Sequence, residues 1–232
     1  MEAKILLIET STDCCSVAVC EGENILAKRK GSEPKIHAAM TAPFIREVLE
    51  EARIEACQID AVAVSEGPGS YTGLRVGVST AKGFCFGLSK PLIGIDTLEI
   101  LAYAGMNHSC KPAKIVPFID ARRMEVYCAV FDSDGTKLTE TQSVILDENS
   151  FSDILSEGPV LFIGTGTDKF RSICPSSNAF FLECFPLAEN MAKAARKAYK
   201  NKEFKDTAYF EPFYLKQFTP GISKRNVLGQ PL

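Results

Sequence analysis

Lys4-Ile5-Leu6-Leu7-Ile8-Glu9-Thr10-Ser11-Thr12 opens the chain as a short apolar run that stops at a polar loop. A continuous aliphatic run of this length reads as a buried strand, Lys4 to Ile8. Ser16 to Glu21 and Asn24 to Arg29 read as two more strands, and Glu21-Gly22-Glu23-Asn24 between them supplies a hairpin turn. A run of three antiparallel strands is not how a parallel dinucleotide-binding fold begins, because there the first strand feeds directly into a helix.

The rest of the first half alternates helices and strands. Ile36, Met40, Phe44, Val48 and Leu49 recur at helical spacing, and Pro43 inside that pattern predicts a kink or the true start of the helix. A strand at Ala61 to Ser65 leads through Glu66-Gly67-Pro68-Gly69-Ser70-Tyr71-Thr72-Gly73 into a helix over about Thr72 to Leu88. A strand at Leu92 to Ile95 and a helix from Thr97 follow. Asn107 to Pro112 is polar and turn-rich, so the boundary is placed there: one lobe over 1–109, a more divergent one over 110–232. The second half again begins with strands, Lys114 to Ile119, Glu125 to Phe131 and Lys137 to Ile145, with another at Val160 to Ile163. Leu187 to Tyr199 is amphipathic. The repeated order of elements predicts a duplicated α/β fold, mixed sheets with helices on their faces and a cleft between two lobes, where ligands commonly bind.

Composition narrows the function classes. Of 232 residues, 46% are hydrophobic and 24% charged, as in an ordinary globular protein. No apolar run reaches the roughly 18 residues of a membrane span, and Met1-Glu2-Ala3-Lys4 does not open a signal peptide, so a cytoplasmic protein is expected. The nine cysteines include no Cys-x-x-Cys pair, and Cys14, Cys15, Cys20, Cys85 and Cys128 fall in apolar segments, as structural thiols do. A net charge of −3 argues against a chain that grips nucleic acid by itself. Lys193, Arg196, Lys197 and Lys200 share one side of a helix, either as a solvated face or as a weak nucleic-acid contact.

The glycine-rich segment before the second helix lies where a helix N-terminus can receive an anion. Gly67, Gly69, Ser70 and Thr72, with Thr10 and Ser11 of the first loop, are candidates for such a loop, although glycine-dependent turn geometry explains it equally well. Gly73 is followed by Leu74 and not Lys, so the Walker pattern fails, and the dinucleotide spacing is missed by one residue even though Asp96 stands at the ribose distance. Gly73, Gly77 and Ala81 recur every four residues with Leu74, Val78 and Cys85 nearby, which suits close helix packing either inside the chain or across a subunit interface.

Three stretches carry a family resemblance. Leu6 to Thr12 is similar to the first phosphate loop of the actin-like (RNase H-like) superfamily; Glu66 to Gly77 resembles a signature shared by the TsaB and TsaD families; and Asp120-Ala121-Arg122-Arg123-Met124-Glu125-Val126-Tyr127 resembles TsaB alone. Near the end, Phe213-Tyr214-Leu215-Lys216 adds to it. The resemblance implies a two-lobed actin-like fold and a non-catalytic subunit that activates a TsaD-like transferase modifying the tRNA adenosine next to the anticodon. A TsaE-like ATPase is implied in the same complex, with a homodimer when the chain is alone, tRNA contact only through the complex, and no cofactor. His37, Met40, Phe44, Gly73, Leu74, Gly77, Val78, Ala81 and Cys85 would form the partner interface. Where TsaD carries two metal-binding histidines, this chain has Thr97 and Leu101, and its only histidines are His37 and His108. The second-lobe motif Asp120, Arg122, Arg123 and Glu125 puts bulky Arg122 where a phosphate loop has glycine, so the arginines are read as a salt-bridged corner or an anion contact. An actin-like ATPase or small-molecule kinase is the alternative function.

Overall fold

The computed structural model describes residues 2–33, 36–106 and 108–216. Strand β1 (Lys4–Glu9) pairs antiparallel with β2 (Cys15–Glu21), and β2 with β3 (Asn24–Gly31) through a turn in which Gly22 takes φ 64°. Strands β4 (Ala61–Gly67) and β5 (Leu92–Asp96) extend the sheet in parallel, in the order β3-β2-β1-β4-β5. This mixed sheet excludes the dinucleotide-binding alternative. Asp96 instead caps helix α3 (Thr97–Gly105), accepting a 2.8 Å hydrogen bond from the Leu98 N–H, and pairs with Lys137 at 2.6 Å.

Side chains alternate across the sheet, so each strand feeds two cores. Leu6, Ile8, Val17, Val19, Val62 and Val64 meet helices α1 (Ile36–Ala52) and α2 (Tyr71–Leu88) on one face. Ile5, Leu7, Ala61, Ala63 and Ile93 point the other way. Pro43 lies within α1 and does not begin it. The carbonyl it deprives of a partner is that of Ala39, which is exposed and open to water.

The second sheet has the order β11-β10-β6-β7-β9, from β6 (Lys114–Asp120), β7 (Glu125–Cys128), β9 (Gln142–Ile145), β10 (Val160–Gly164) and β11 (Ala179–Leu182), with short β8 (Phe131–Asp132) pairing β6. The strand expected over Glu125 to Phe131 is therefore interrupted, and the one over Lys137 to Ile145 is shorter. The Thr139 hydroxyl accepts the Val130 N–H, which diverts that backbone group from a ladder. Helices α4 (Ser152–Glu157) and α5 (Thr167–Arg171) were not foreseen. A cluster of Phe118, Phe162 and Phe170, flanked by Phe151 and Phe181, fills this lobe's outer core.

Two elements join the lobes. Helix α3 gives Ile100 to the first sheet and Leu98, Leu101 and Ala102 to the second. Helix α6 (Ala192–Asn201) returns from the second half to the first sheet, where Ala192, Ala194, Ala195 and Ala198 pack among Ile5, Leu7, Ala61 and Ala63. The linear division at 109/110 thus assigns this helix to the lobe it does not cover. On its polar side Arg196 pairs with Glu2 at 2.8 Å and Glu23 at 3.1 Å, Lys200 pairs with Glu2, and Lys193 lies over the Tyr103 ring, which favours the solvated-face reading over a tRNA contact.

Helix α2 packs unusually close to the loop after β1. A Cβ on Gly73 would overlap the Thr10 carbonyl oxygen, and one on Gly77 would overlap the Thr10 hydroxyl. Gly83 and Gly87, on the outward side, have nothing within 4 Å of that position. Replacing Gly77 by Ala should cost about 1–3 kcal/mol through overpacking. Gly83→Ala should instead stabilise by about 0.5–1 kcal/mol, because it only removes backbone freedom; urea unfolding midpoints of the two variants check the opposite signs.

Candidate functional site

The β1–β2 loop and the β4–α2 turn meet at the floor of a cleft of about 1140 Å³ between the lobes. Ser11, Thr12, Gly69, Ser70, Tyr71 and Thr72 line it from the first lobe; Asp120, Arg122, Tyr127 and Thr165 line it from the second. The two first-lobe segments are tied by a 2.6 Å hydrogen bond from the Ser70 N–H to the Ser11 carbonyl. Gly69 has to be glycine, since a Cβ there would overlap Ser11. Ser70 caps α2, its hydroxyl accepting the Gly73 N–H at 3.3 Å. Four of the six candidate loop residues, Ser11, Gly69, Ser70 and Thr72, therefore line the cleft. Thr10 and Gly67 do not line the cleft: Thr10 is buried under α2, and Gly67, at φ 117°, lies against the Phe213 carbonyl.

The second-lobe acids are salt-bridged, but to lysines and not to Arg122 or Arg123. Asp120 accepts from the Arg122 backbone N–H at 2.5 Å, but its ion-pair partner is Lys169 at 2.6 Å. Glu125 pairs with Lys216 at 2.5 Å, and that ammonium chiefly holds its carboxyl below the usual range. The arginines stand at the exposed end of the β6–β7 hairpin at φ 72° and 49°, and their guanidinium groups bond to none of the described residues.

The last described segment packs beside this region, where Phe213 to Lys216 lie against Pro68, Gly69, Tyr71 and Tyr127. The Lys205 N–H bonds to the Leu92 carbonyl at 2.8 Å, covering the free edge of β5. The Phe213 N–H bonds to the Glu66 carbonyl at 2.6 Å, the Tyr214 ring rests 4.8 Å from that of Tyr71, and Arg75 lies over Tyr71 at 4.2 Å. Only Phe213 to Lys216 signalled this in the sequence, and the roles of Lys169 and Lys205 left no signal there.

Most of the expected partner stripe is internal. Phe44, Leu74, Val78, Ala81 and Cys85 are buried in the chain's own core, and Gly73 and Gly77 lie against Thr10. The stripe packs inward because the sheet and the β1–β2 loop supply the closely approaching surface. His37 and Met40 of α1 are half-buried. The outward face of α2 carries Arg75, Ser79, Gly83, Phe86 and Gly87 instead, and Phe86 is 85% exposed. Thr97 and Leu101 are buried in α3, and among the described residues no three His, Cys, Asp or Glu side chains gather as metal ligands.

Beneath the cleft, Glu9 is wholly buried. Its Oε1 accepts the Ser11 N–H at 2.5 Å, while Oε2 has no partner. Burial pushes its carboxyl up from 4.5 to about 7, against the opposing hydrogen bonds of Ser11 and Ser65. The folded protein keeps this proton where the unfolded chain has released it, so stability should fall as pH rises from about 4.5 to about 7. The loss is on the order of a few kcal/mol. Urea unfolding across that range should show the slope in the parent and a flatter profile in Glu9→Gln.

Comparison with known proteins agrees with this architecture. A family model described as TsaD: tRNA N6-adenosine threonylcarbamoyltransferase matches residues 22–223. The tRNA threonylcarbamoyladenosine biosynthesis protein TsaB of Haemophilus influenzae is 30% identical, covering 91% of this chain and 93% of its own. The Escherichia coli K12 protein of the same name is 28% identical over 92% and 94%. A Pseudomonas aeruginosa structure described as similar to peptidase YEAZ superposes with TM-score 0.82 at 25% identity, covering 92% of this chain and all of that one. With the mixed sheets, the duplicated actin-like layout and the Glu66–Gly77 and Asp120–Tyr127 segments in place, the chain belongs to the TsaB family of tRNA threonylcarbamoyladenosine biosynthesis proteins, within the wider TsaD family.

Proposed function

We propose that this chain is a non-catalytic cytoplasmic subunit that binds and activates a TsaD-like transferase through the outward face of α2. The observation that carries the reading is that face itself. Phe86 is 85% exposed beside Gly83 and Gly87, where nothing lies within 4 Å of a built Cβ. A projecting ring next to a shallow glycine groove is a knob beside a hole, suited to helix-on-helix docking. Glycine inside a helix costs about 1 kcal/mol relative to Ala, so two glycines on an unfilled surface favour a use outside the free chain. A second copy presenting the same knob to the same groove would make a two-fold homodimer when the transferase is absent. The half-buried His37 and Met40 of the adjacent α1 would flank the contact.

Catalysis would belong to the partner. Thr97 and Leu101 occupy the positions where TsaD-type sequences carry histidines, and both are buried. tRNA would be met only through the complex, in which a TsaE-like ATPase would also take part. The chain alone should not turn over ATP; measurable turnover would favour the kinase or ATPase reading.

Phe86→Arg should abolish co-sedimentation with the TsaD-like protein of the same organism and leave the thermal melt of the free chain unchanged. Val78→Arg should lose the fold itself, since Val78 is 4% exposed and the charge would be buried without a partner. Full binding by a folded Phe86→Arg protein would refute the α2 assignment.

A further inference from the structure

We propose that Cys110 is a thiol modification site that reacts with small disulfides, with His108 as its general base. The site goes beyond the partner-subunit reading and does not depend on it.

The pair lies in the connection between α3 and β6, where the chain passes from the first lobe to the second. The His108 Nδ1 stands 3.0 Å from the Cys110 sulfur and 3.3 Å from the Cys110 backbone nitrogen. A backbone N–H can only donate, so Nδ1 carries the lone pair and the ring proton sits on Nε2. That tautomer turns the basic nitrogen toward the thiol, whose S–H donates to it. The backbone around the pair is fixed as well. The His108 N–H bonds to the Gly105 carbonyl at 3.0 Å, and the Lys111 N–H bonds to the His108 carbonyl at 3.1 Å. Both side chains are partly exposed, which leaves the pair open to a small reagent.

The other cysteines lack this arrangement: among the described residues, none of them bonds to a nitrogen base. Burial pushes the Cys14 and Cys85 thiols up to about 11 and those of Cys20 and Cys128 up to about 12, away from the reactive thiolate. Cys57 is exposed, but its neighbour at 3.6 Å is the Glu55 carboxylate, and a carboxylate is a much weaker base than an imidazole. Partial burial also pushes the Cys110 thiol up, so at neutral pH its sulfur holds the proton and depends on the imidazole to remove it.

In the reaction, Nδ1 takes the S–H proton as the Cys110 sulfur attacks one sulfur of the disulfide. The reagent's S–S bond breaks, its second sulfur leaves with the electron pair, and the imidazolium returns the proton to it. Cys110 is oxidised to a mixed disulfide, the leaving half of the reagent is reduced to a thiol, and His108 ends unchanged. The adduct then sits at the rim of the core that α3 shares with the second sheet, against which Cys110 packs.

The reduced full-length chain would be incubated with excess hydroxyethyl disulfide at neutral pH and quenched with acid at intervals. Peptide mass spectrometry would read the modified fraction at each cysteine. Cys110 should form the mixed disulfide first, ahead of the more exposed Cys57. His108→Gln keeps a hydrogen-bonding side chain without a base. It should slow Cys110 roughly tenfold or more, as loss of a positioned base does, and leave the Cys57 rate as in the parent. The backbone bonds of residue 108 persist in the variant, so its melting temperature should match the parent's. Cys110 reacting no faster than Cys57, or at one rate in parent and variant, would overturn the site. Equal slowing of both cysteines would overturn it too, since a base acts only on its own thiol.

Discussion

The contact on which the rest of the structure depends is the near-collision of helix α2 with the loop leaving β1. Gly69, Gly73 and Gly77 stand where any side chain would strike Thr10 or Ser11. Because the helix can come so close, its N-terminus and the polar loop form one surface, which becomes the cleft floor. The same approach leaves Thr10, Ser11 and the Glu9 carboxylate buried. It also decides which face of α2 is spent internally, leaving Ser79, Gly83 and Phe86 outside. A cleft floor, a buried titrating group and an outward helix face thus follow from one spacing of glycines.

Much of this was legible in the sequence, for physical reasons. Strand β1 is an unbroken aliphatic run and α2 a long helix behind a Ser cap, and such signals survive without tertiary knowledge. The orientation of the small-residue stripe was not legible, since spacing alone gives a close approach without saying to what. Val78 and Leu74 were read toward a partner and turn out to face the protein's own sheet. The broken strand after Cys128 was equally hidden, because a single hydroxyl, that of Thr139, takes the backbone group a ladder would have used. Arg122 and Arg123 were read toward a salt-bridged corner, yet the acids beside them are taken by Lys169 and Lys216, 49 and 91 residues away along the chain from their partners.

The two lobes differ in how they are held. The second has an aromatic interior in which Phe118, Phe162 and Phe170 meet at 4.9 to 6.1 Å. The first relies on aliphatic packing over two thin faces. Helix α3 serves both, giving Ile100 to one core and Leu98 and Leu101 to the other. The cleft lies between two sheets that share a buried helix.

The return of α6 to the first sheet bears on how the chain folds as it is made. Ile5, Leu7, Ala61 and Ala63 emerge early, but the alanine stripe that covers them is translated late, at Ala192 to Ala198. Until then one face of the first sheet is bare and the β5 edge lacks Lys205. The amino-terminal lobe cannot complete itself while the ribosome is still reading the carboxy-terminal one, so this protein departs from the habit of domains closing in order of synthesis. A nascent chain stalled before α6 would present an aliphatic sheet face and an open strand edge together, the combination that chaperones retain.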